Sequence, residues 1–115
     1  MKTRREKDSL GEKEIPENLY YGIHTTRSIE NFAISELKVP AEIIQAIAFL
    51  KLSCAKANEK QKKLPKNKAD AIAKAAREVI GYKFGDQFPI DVFQAGSGTS
   101  TNMNVNEVIA NRANE

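Results

Sequence analysis

The run Gln94-Ala95-Gly96-Ser97-Gly98-Thr99-Ser100-Thr101-Asn102 is the stretch of this chain that demands a chemical explanation. Two glycines at alternate positions let the backbone approach a ligand closely and take dihedrals that other residues resist. Four hydroxyls and an amide lie within six residues, immediately before a predicted helix. A helix start offers unpaired N–H donors and a partial positive charge, so a carboxylate or phosphate can be held there. Ser97 and Thr99 flank Gly98 and can add directional hydrogen bonds to such an anion, while Asn102 can cap the helix, contact a ligand, or do both. The same residues fit a plain glycine turn followed by an N-cap, and the pattern alone does not separate the two. A Walker-type phosphate loop is excluded, because no Gly-Lys-Ser/Thr follows at the required spacing.

The residues that follow carry a second signal. Asn102, Asn104 and Asn106 alternate inside the predicted helix, where asparagine is a poor choice by propensity. Alternate residues point to different sides of a helix, so contact of all three with one ligand is excluded. Buried hydrogen bonds to loops or neighbouring subunits are the simplest cause.

These residues need elements to position them. At 115 residues the chain suits one domain, and hydrophobic residues at 41% with charged residues at 29% describe an ordinary globular composition. The net charge of +3 is small and mixed along the chain. The densest basic stretch, Lys60 to Lys68, contains no aromatic residue and reads as a solvated loop, which argues against nucleic-acid binding. The start has no apolar run of the secretory kind, and the stretch Ile43–Leu52 is too short to span a bilayer. A cytoplasmic protein without membrane contact is expected. The single cysteine, Cys54, allows no internal disulfide and is expected as a small buried core residue.

Residues 1–39 are punctuated by Gly11, Pro16 and Gly22 and read as an extended arm, with Tyr20–Thr26 as a short strand. Ile29, Phe32 and Ile34 are expected to anchor that arm. Residues 40–115 read as about three helices, so the fold class is mainly α. The first opens at Pro40 with an apolar stripe of Ile43, Ile47, Leu50, Cys54 and Ala57, widened by Ile44, Phe49 and Leu52. The second has Asn67 and Asp70 as a capping box, a stripe of Ala69, Ile72, Ala73, Ala76, Val79 and Ile80, and Gly81 as a left-handed cap. The third is predicted to begin at Asn102 and is still in mid-pattern at Glu115, as though cut before a further domain.

Phe88-Pro89-Ile90-Asp91-Val92-Phe93-Gln94, followed by Gly96-Ser97-Gly98-Thr99-Ser100-Thr101-Asn102-Met103-Asn104-Val105-Asn106-Glu107-Val108, resembles the fumarase/aspartase superfamily signature. Arg5-Glu6-Lys7-Asp8-Ser9-Leu10-Gly11, Tyr21-Gly22-Ile23-His24-Thr25-Thr26-Arg27 and Glu30-Asn31-Phe32 agree with it, in the family's order. The resemblance covers essentially the whole chain, as the family's amino-terminal domain ahead of a central helix bundle. It implies a homotetramer whose sites are assembled from three subunits. It implies reversible anti elimination from a C4 dicarboxylate, giving fumarate plus water or ammonia, with no organic cofactor. A serine on a mobile loop removes the Cβ proton, and the carbanion is held as an aci-carboxylate.

In that scheme Ser97, Gly98 and Thr99 bind the substrate carboxylate, with Asn102 beside them and His24, Arg27 and Ser100 as possible support. Arg27 fits a structural ion pair somewhat better than a ligand contact, and His24 a satisfied structural group better than an acid–base catalyst. The family's catalytic-serine loop is absent, so no catalytic residue is expected in this segment, and no metal site is read. Tyr21-Gly22-Ile23-His24-Thr25 looks like aspartate ammonia-lyases, whereas Ser97 is like class II fumarate hydratases. The balance of residues favours the ammonia-lyase, with the hydratase as the alternative. A non-catalytic helical binding module that carries a glycine turn is the remaining class.

Overall fold

The computed structural model describes residues 1–115. Its arm begins with a two-stranded antiparallel hairpin, β1 (Thr3–Asp8) and β2 (Gly11–Pro16). The hairpin escapes an apolar-alternation reading because charges, not hydrophobes, face each other across it. Arg5 is opposite Glu14, Glu6 opposite Lys13 and Lys7 opposite Glu12, the opposite-charge arrangement that supports a strand pair. Ile15 is the one strand residue buried in the core. Arg4 ties the hairpin down by donating to the carbonyls of Pro16, Leu19 and Tyr21.

The segment expected as a short strand instead enters a helix, α1 (Ile23–Asn31). Its β-branched residues favour a strand locally, but tertiary contacts prevail. Thr25 and Ser28 are buried, and the first amides of the helix are taken by carboxylates from elsewhere in the chain. Of the three expected anchors, Ile29 and Phe32 are half-buried and Ile34 is exposed.

Three longer helices follow: α2 (Ala41–Lys60), α3 (Lys66–Ile80) and α4 (Thr99–Asn114). They enclose one core, in which Ile44, Ala48 and Leu52 of α2 meet Ala73, Ala76 and Val79 of α3 and Val105, Val108 and Ile109 of α4. The alanines of α3 let the helices approach closely. The stripe read for α2 is only partly right: Ile47 packs against the core, and Ile44 and Leu52, read as widening that face, lie at its centre. Ile44, Ala48, Leu52 and Ala55 are buried, whereas Ile43, Phe49, Leu50 and Cys54 are exposed. A helix apolar over most of its circumference offers two periodic stripes, and periodicity cannot choose between them.

The helix ends also differ from expectation. Asn67 makes no capping bond; α3 starts at Lys66 behind Pro65, and Lys66 pairs with Asp70 at 3.0 Å. Gly81 has φ −73° and is not left-handed. The left-handed residue is Tyr82, at φ 58°, with Tyr82 N–H donating to Val79 O and Lys83 N–H to Glu78 O. That is a Schellman motif one position later than the glycine. The end of α2 repeats it with Lys62 at φ 59°, Lys62 N–H to Glu59 O and Lys63 N–H to Asn58 O. Both termini therefore carry a side chain where glycine is preferred. The exposed Lys62 has no side-chain partner, and Lys62→Gly is expected to stabilise the chain by about 1 kcal/mol, because a left-handed conformation costs a non-glycine residue about that much. Urea unfolding of the variant against the parent measures it; an unchanged or lower midpoint contradicts the assignment.

Between α3 and α4 the chain is irregular apart from a 3-10 turn at Gly85–Gln87. Asp91 anchors this connection. Its buried carboxylate accepts from Ser35 N–H, Ser35 Oγ and, at 2.9 Å, Phe93 N–H. Burial works to raise its pKa, but these donors outweigh it and hold the carboxyl below the usual aspartate range.

Candidate functional site

Helix α4 starts one turn earlier than Asn102, at Thr99, because Gly98 takes φ 76° and turns the chain directly into the helix. Gly98 N–H closes the turn onto Ala95 O at 2.9 Å, and the Asn102 amide donates back to Gly98 O as an ordinary helical bond. Asn102 is thus inside the first turn and does not cap it. The acceptor at this terminus comes from Gln94, whose Oε1 takes Thr101 N–H at 2.9 Å and Thr101 Oγ1 at 2.8 Å. Gln94 Nε2 in turn donates to Asp91 O at 3.0 Å, so the loop is pinned to the connection that Asp91 organises.

Two amides remain. Neither Thr99 N–H nor Ser100 N–H has an acceptor within the chain. They sit at the positive end of a 16-residue helix, with the Thr99 and Ser97 side chains exposed beside them. This is an arrangement of donors with no competing carboxylate from its own helix, since the first turn of α4 contains no acidic residue. It suits an anion.

The loop forms a ridge between two depressions. On one side Ser97 and Gly98 border a groove of about 480 Å³ whose other wall is apolar, from Val39, Pro40, Ile43 and Val92. On the other, Thr99 and Ser100 border a cavity of about 300 Å³ that α1 closes with His24, Arg27 and Ser28. Four of the predicted residues, His24, Arg27, Thr99 and Ser100, therefore meet in one cavity. Ser97 and Gly98 face the other way across a single loop, and Asn102 borders neither depression.

Arg27 is engaged by Asp8, with Nε and Nη2 at 2.7 and 2.9 Å from its carboxylate oxygens. The guanidinium holds the Asp8 carboxyl below the usual range, and the carboxylate raises the Arg27 pKa in return. Arg27 thus faces the cavity already paired with a carboxylate. The His24 amide donates to Glu107, while its imidazole Nδ1 and the Ser28 hydroxyl are buried without a hydrogen-bond partner. No cluster of three or more His, Cys, Asp or Glu is placed to hold a metal ion.

Sequence reasoning missed Glu107, Gln94 and Ser28. Glu107 carried no usable sequence signal, because the helix whose opening amides it accepts begins in a stretch read as a strand.

The profile of the family described as Lyase matches residues 11–115. The chain belongs to this lyase family. It is 51% identical over 117 residues to fumarate hydratase class II of Thermus thermophilus, covering all of this chain and 25% of that protein. It is 53% identical over 110 residues to fumarate hydratase class II of Wigglesworthia glossinidia brevipalpis, covering 96% of this chain and 24% of that protein. Among solved structures, fumarate lyase:delta crystallin from Brucella melitensis superposes with a TM-score of 0.93 at 50% identity, over 97% of this chain and 26% of that one. Recombinant class II fumarase from Schistosoma mansoni gives 0.94 at 40% identity, over 97% and 24%. This lyase segment thus spans about a quarter of the length of the relatives it matches. No helix in it is long and apolar enough to cross a membrane.

Within the lyase segment, Gly96 and Gly98 separate cleanly. An added Cβ would meet nothing within 4 Å at either, but only Gly98 has a positive φ. Gly98→Ala is expected to destabilise by about 1–2 kcal/mol through backbone strain alone, whereas Gly96→Ala stays within about 0.5 kcal/mol of the parent. Denaturant unfolding of the two variants side by side tests this; equal losses contradict it.

Proposed function

We propose that this segment is the amino-terminal quarter of a class II fumarate hydratase. In this reading the whole protein interconverts malate and fumarate as a homotetramer, and this segment supplies the donors for one substrate carboxylate. The observation that carries it is the pair of free amides at Thr99 and Ser100, set among exposed hydroxyls at the start of α4. The names of the relatives, at 50–53% identity, support the hydratase over the ammonia-lyase that His24 and its neighbours favoured.

The chemistry explains the donors. Elimination of water from malate moves the Cβ proton to a base and leaves negative charge on the adjacent carboxylate until the hydroxyl departs from C2. Hydrogen bonds aimed at that carboxylate strengthen as its charge grows, so they stabilise the transition state more than the ground state. Thr99 Oγ1 and the Thr99 and Ser100 amides are the groups this segment brings to that task, whereas Ser97 faces the neighbouring groove. The base that takes the proton is not among its residues.

The test is to supply malate and, separately, aspartate to the lyase-length polypeptide carrying this segment and follow fumarate absorbance. Fumarate from malate and none from aspartate is expected; the reverse restores the aspartate ammonia-lyase reading. Loss of one preorganised donor commonly costs on the order of 3 kcal/mol, so Thr99→Ala is expected to lower kcat about a hundredfold with the fold intact. Turnover within a few-fold of the parent removes Thr99 from the site.

A further inference from the structure

Helix α1 has no cap of its own. Gly22 at the N-cap offers no side chain, and the first turn, Ile23-His24-Thr25-Thr26, contains no acid. Its first three amides are nevertheless all satisfied. Glu6 of β1 accepts from Ile23 N–H at 3.1 Å. Glu107 of α4 accepts from His24 N–H at 3.0 Å and from Thr25 N–H at 2.9 Å, and also takes the Thr25 hydroxyl. Gly22 makes this possible. A Cβ there would lie 2.4 Å from Glu107 Oε2 and 2.6 Å from Glu6 Oε1, inside contact distance of both carboxylates.

Glu107 therefore joins the two helices that face each other across the cavity. Its carboxylate is eight residues beyond Thr99 on α4, about 12 Å along the axis at about 1.5 Å per residue. Its three partners lie on the first turn of α1, which carries His24, Arg27 and Ser28 into the cavity wall opposite Thr99 and Ser100. Charge-assisted bonds at a helix N-terminus are among the stronger ones, and they are directional. Arg27 adds a second tether, but to the hairpin through Asp8 and Gly11 O, not to α4. Between α1 and α4, the polar connection is Glu107.

We propose that Glu107 is a positioning residue of the substrate site: it clamps α1 to α4 and so sets the distance between the His24–Ser28 wall and the donors at Thr99 and Ser100. This rests on the lyase reading above. Glu107 touches no substrate in this scheme. Loosening the clamp moves one wall of the cavity without removing a donor from the other, so its signature is weaker substrate binding with a smaller effect on turnover.

The side-chain chemistry orders the variants. Glu107→Ala removes all three bonds. Glu107→Gln keeps an oxygen for Thr25 but turns an amide N–H toward the His24 N–H. Thr25→Val removes the hydroxyl bond alone. In the lyase-length polypeptide, KM for malate is expected to rise about tenfold in Glu107→Ala, which corresponds to about 1.4 kcal/mol of lost binding, with Glu107→Gln between it and the parent. Thr25→Val is expected to show a smaller rise in the same direction. Should Glu107→Ala fail to fold, Glu107→Gln and Thr25→Val decide. Lower melting temperatures with KM within twofold of the parent in the folded variants make Glu107 a brace only, and overturn the proposal. A parent that converts neither malate nor aspartate counts against the proposed function instead. Hydrogen exchange of α1 then decides the clamp: faster exchange at the His24 and Thr25 amides in the Glu107 variants upholds it, and parent-like protection overturns it.

Discussion

Irregular backbone packed against a helical core must have its polar groups met, and in this domain the side chains of α4 meet them. Asn104, almost wholly buried, donates from Nδ2 to Gln87 O at 2.9 Å and so fixes the 3-10 turn. Glu107 accepts the opening amides of α1. Asn111 donates to Tyr20 O, in the link between hairpin and α1. Arg112 reaches Glu78 of α3 at 2.8 Å and holds that carboxyl below its usual range. Successive turns of one helix thus bind four different parts of the chain. Propensity alone disfavours asparagine here; the loss is offset because a buried carbonyl left without a donor costs about 1–3 kcal/mol.

The same constraint explains what could be read from the sequence. The stripe of α3 was legible because its opposite face is charged: Ala69, Ala73, Ala76 and Val79 are buried as the spacing predicts. The stripe of α2 was not, since Ile43, Phe49 and Leu50 are as apolar as Ile44 and Leu52. Helix α1 was missed for a different reason. Its first turn is largely β-branched and carries no side-chain cap, and its opening amides are met by carboxylates at positions 6 and 107, far away in sequence. Cys54, placed in the core by the chosen stripe, is exposed along with Ile43 and Leu50 of that stripe.

The site divides along a similar line. The glycine–hydroxyl loop was legible because Gly98 and the hydroxyls act locally, through one turn and one helix start. The role of Gln94 was not, because the capping acceptor reaches forward seven residues to Thr101 instead of coming from the N-cap itself. Local capping patterns pointed to Asn102; tertiary structure moved the helix start to Thr99 and left Asn102 within its first turn. The separation of Ser97 from Thr99 into different depressions is likewise a property of the folded loop, in which a left-handed Gly98 reverses the direction between them.

That geometry also accounts for why family and leaving group are unequally legible here. Malate and aspartate share the carboxylate next to the acidic Cβ and differ only in the substituent at C2. Under the proposed function, donors at the start of α4 act on the shared group, where charge accumulates whichever substituent departs. A loop tuned to that carboxylate is equally useful to hydratase and ammonia-lyase, so its sequence marks the superfamily strongly. Residues that face C2 must differ between the two chemistries, because one leaving group accepts hydrogen bonds as it departs with negative charge, whereas the other is an ammonium group that departs as neutral ammonia. In the proposed reading, the free amides of Thr99 and Ser100 serve the step that both chemistries share, and discrimination falls to the residues set against C2.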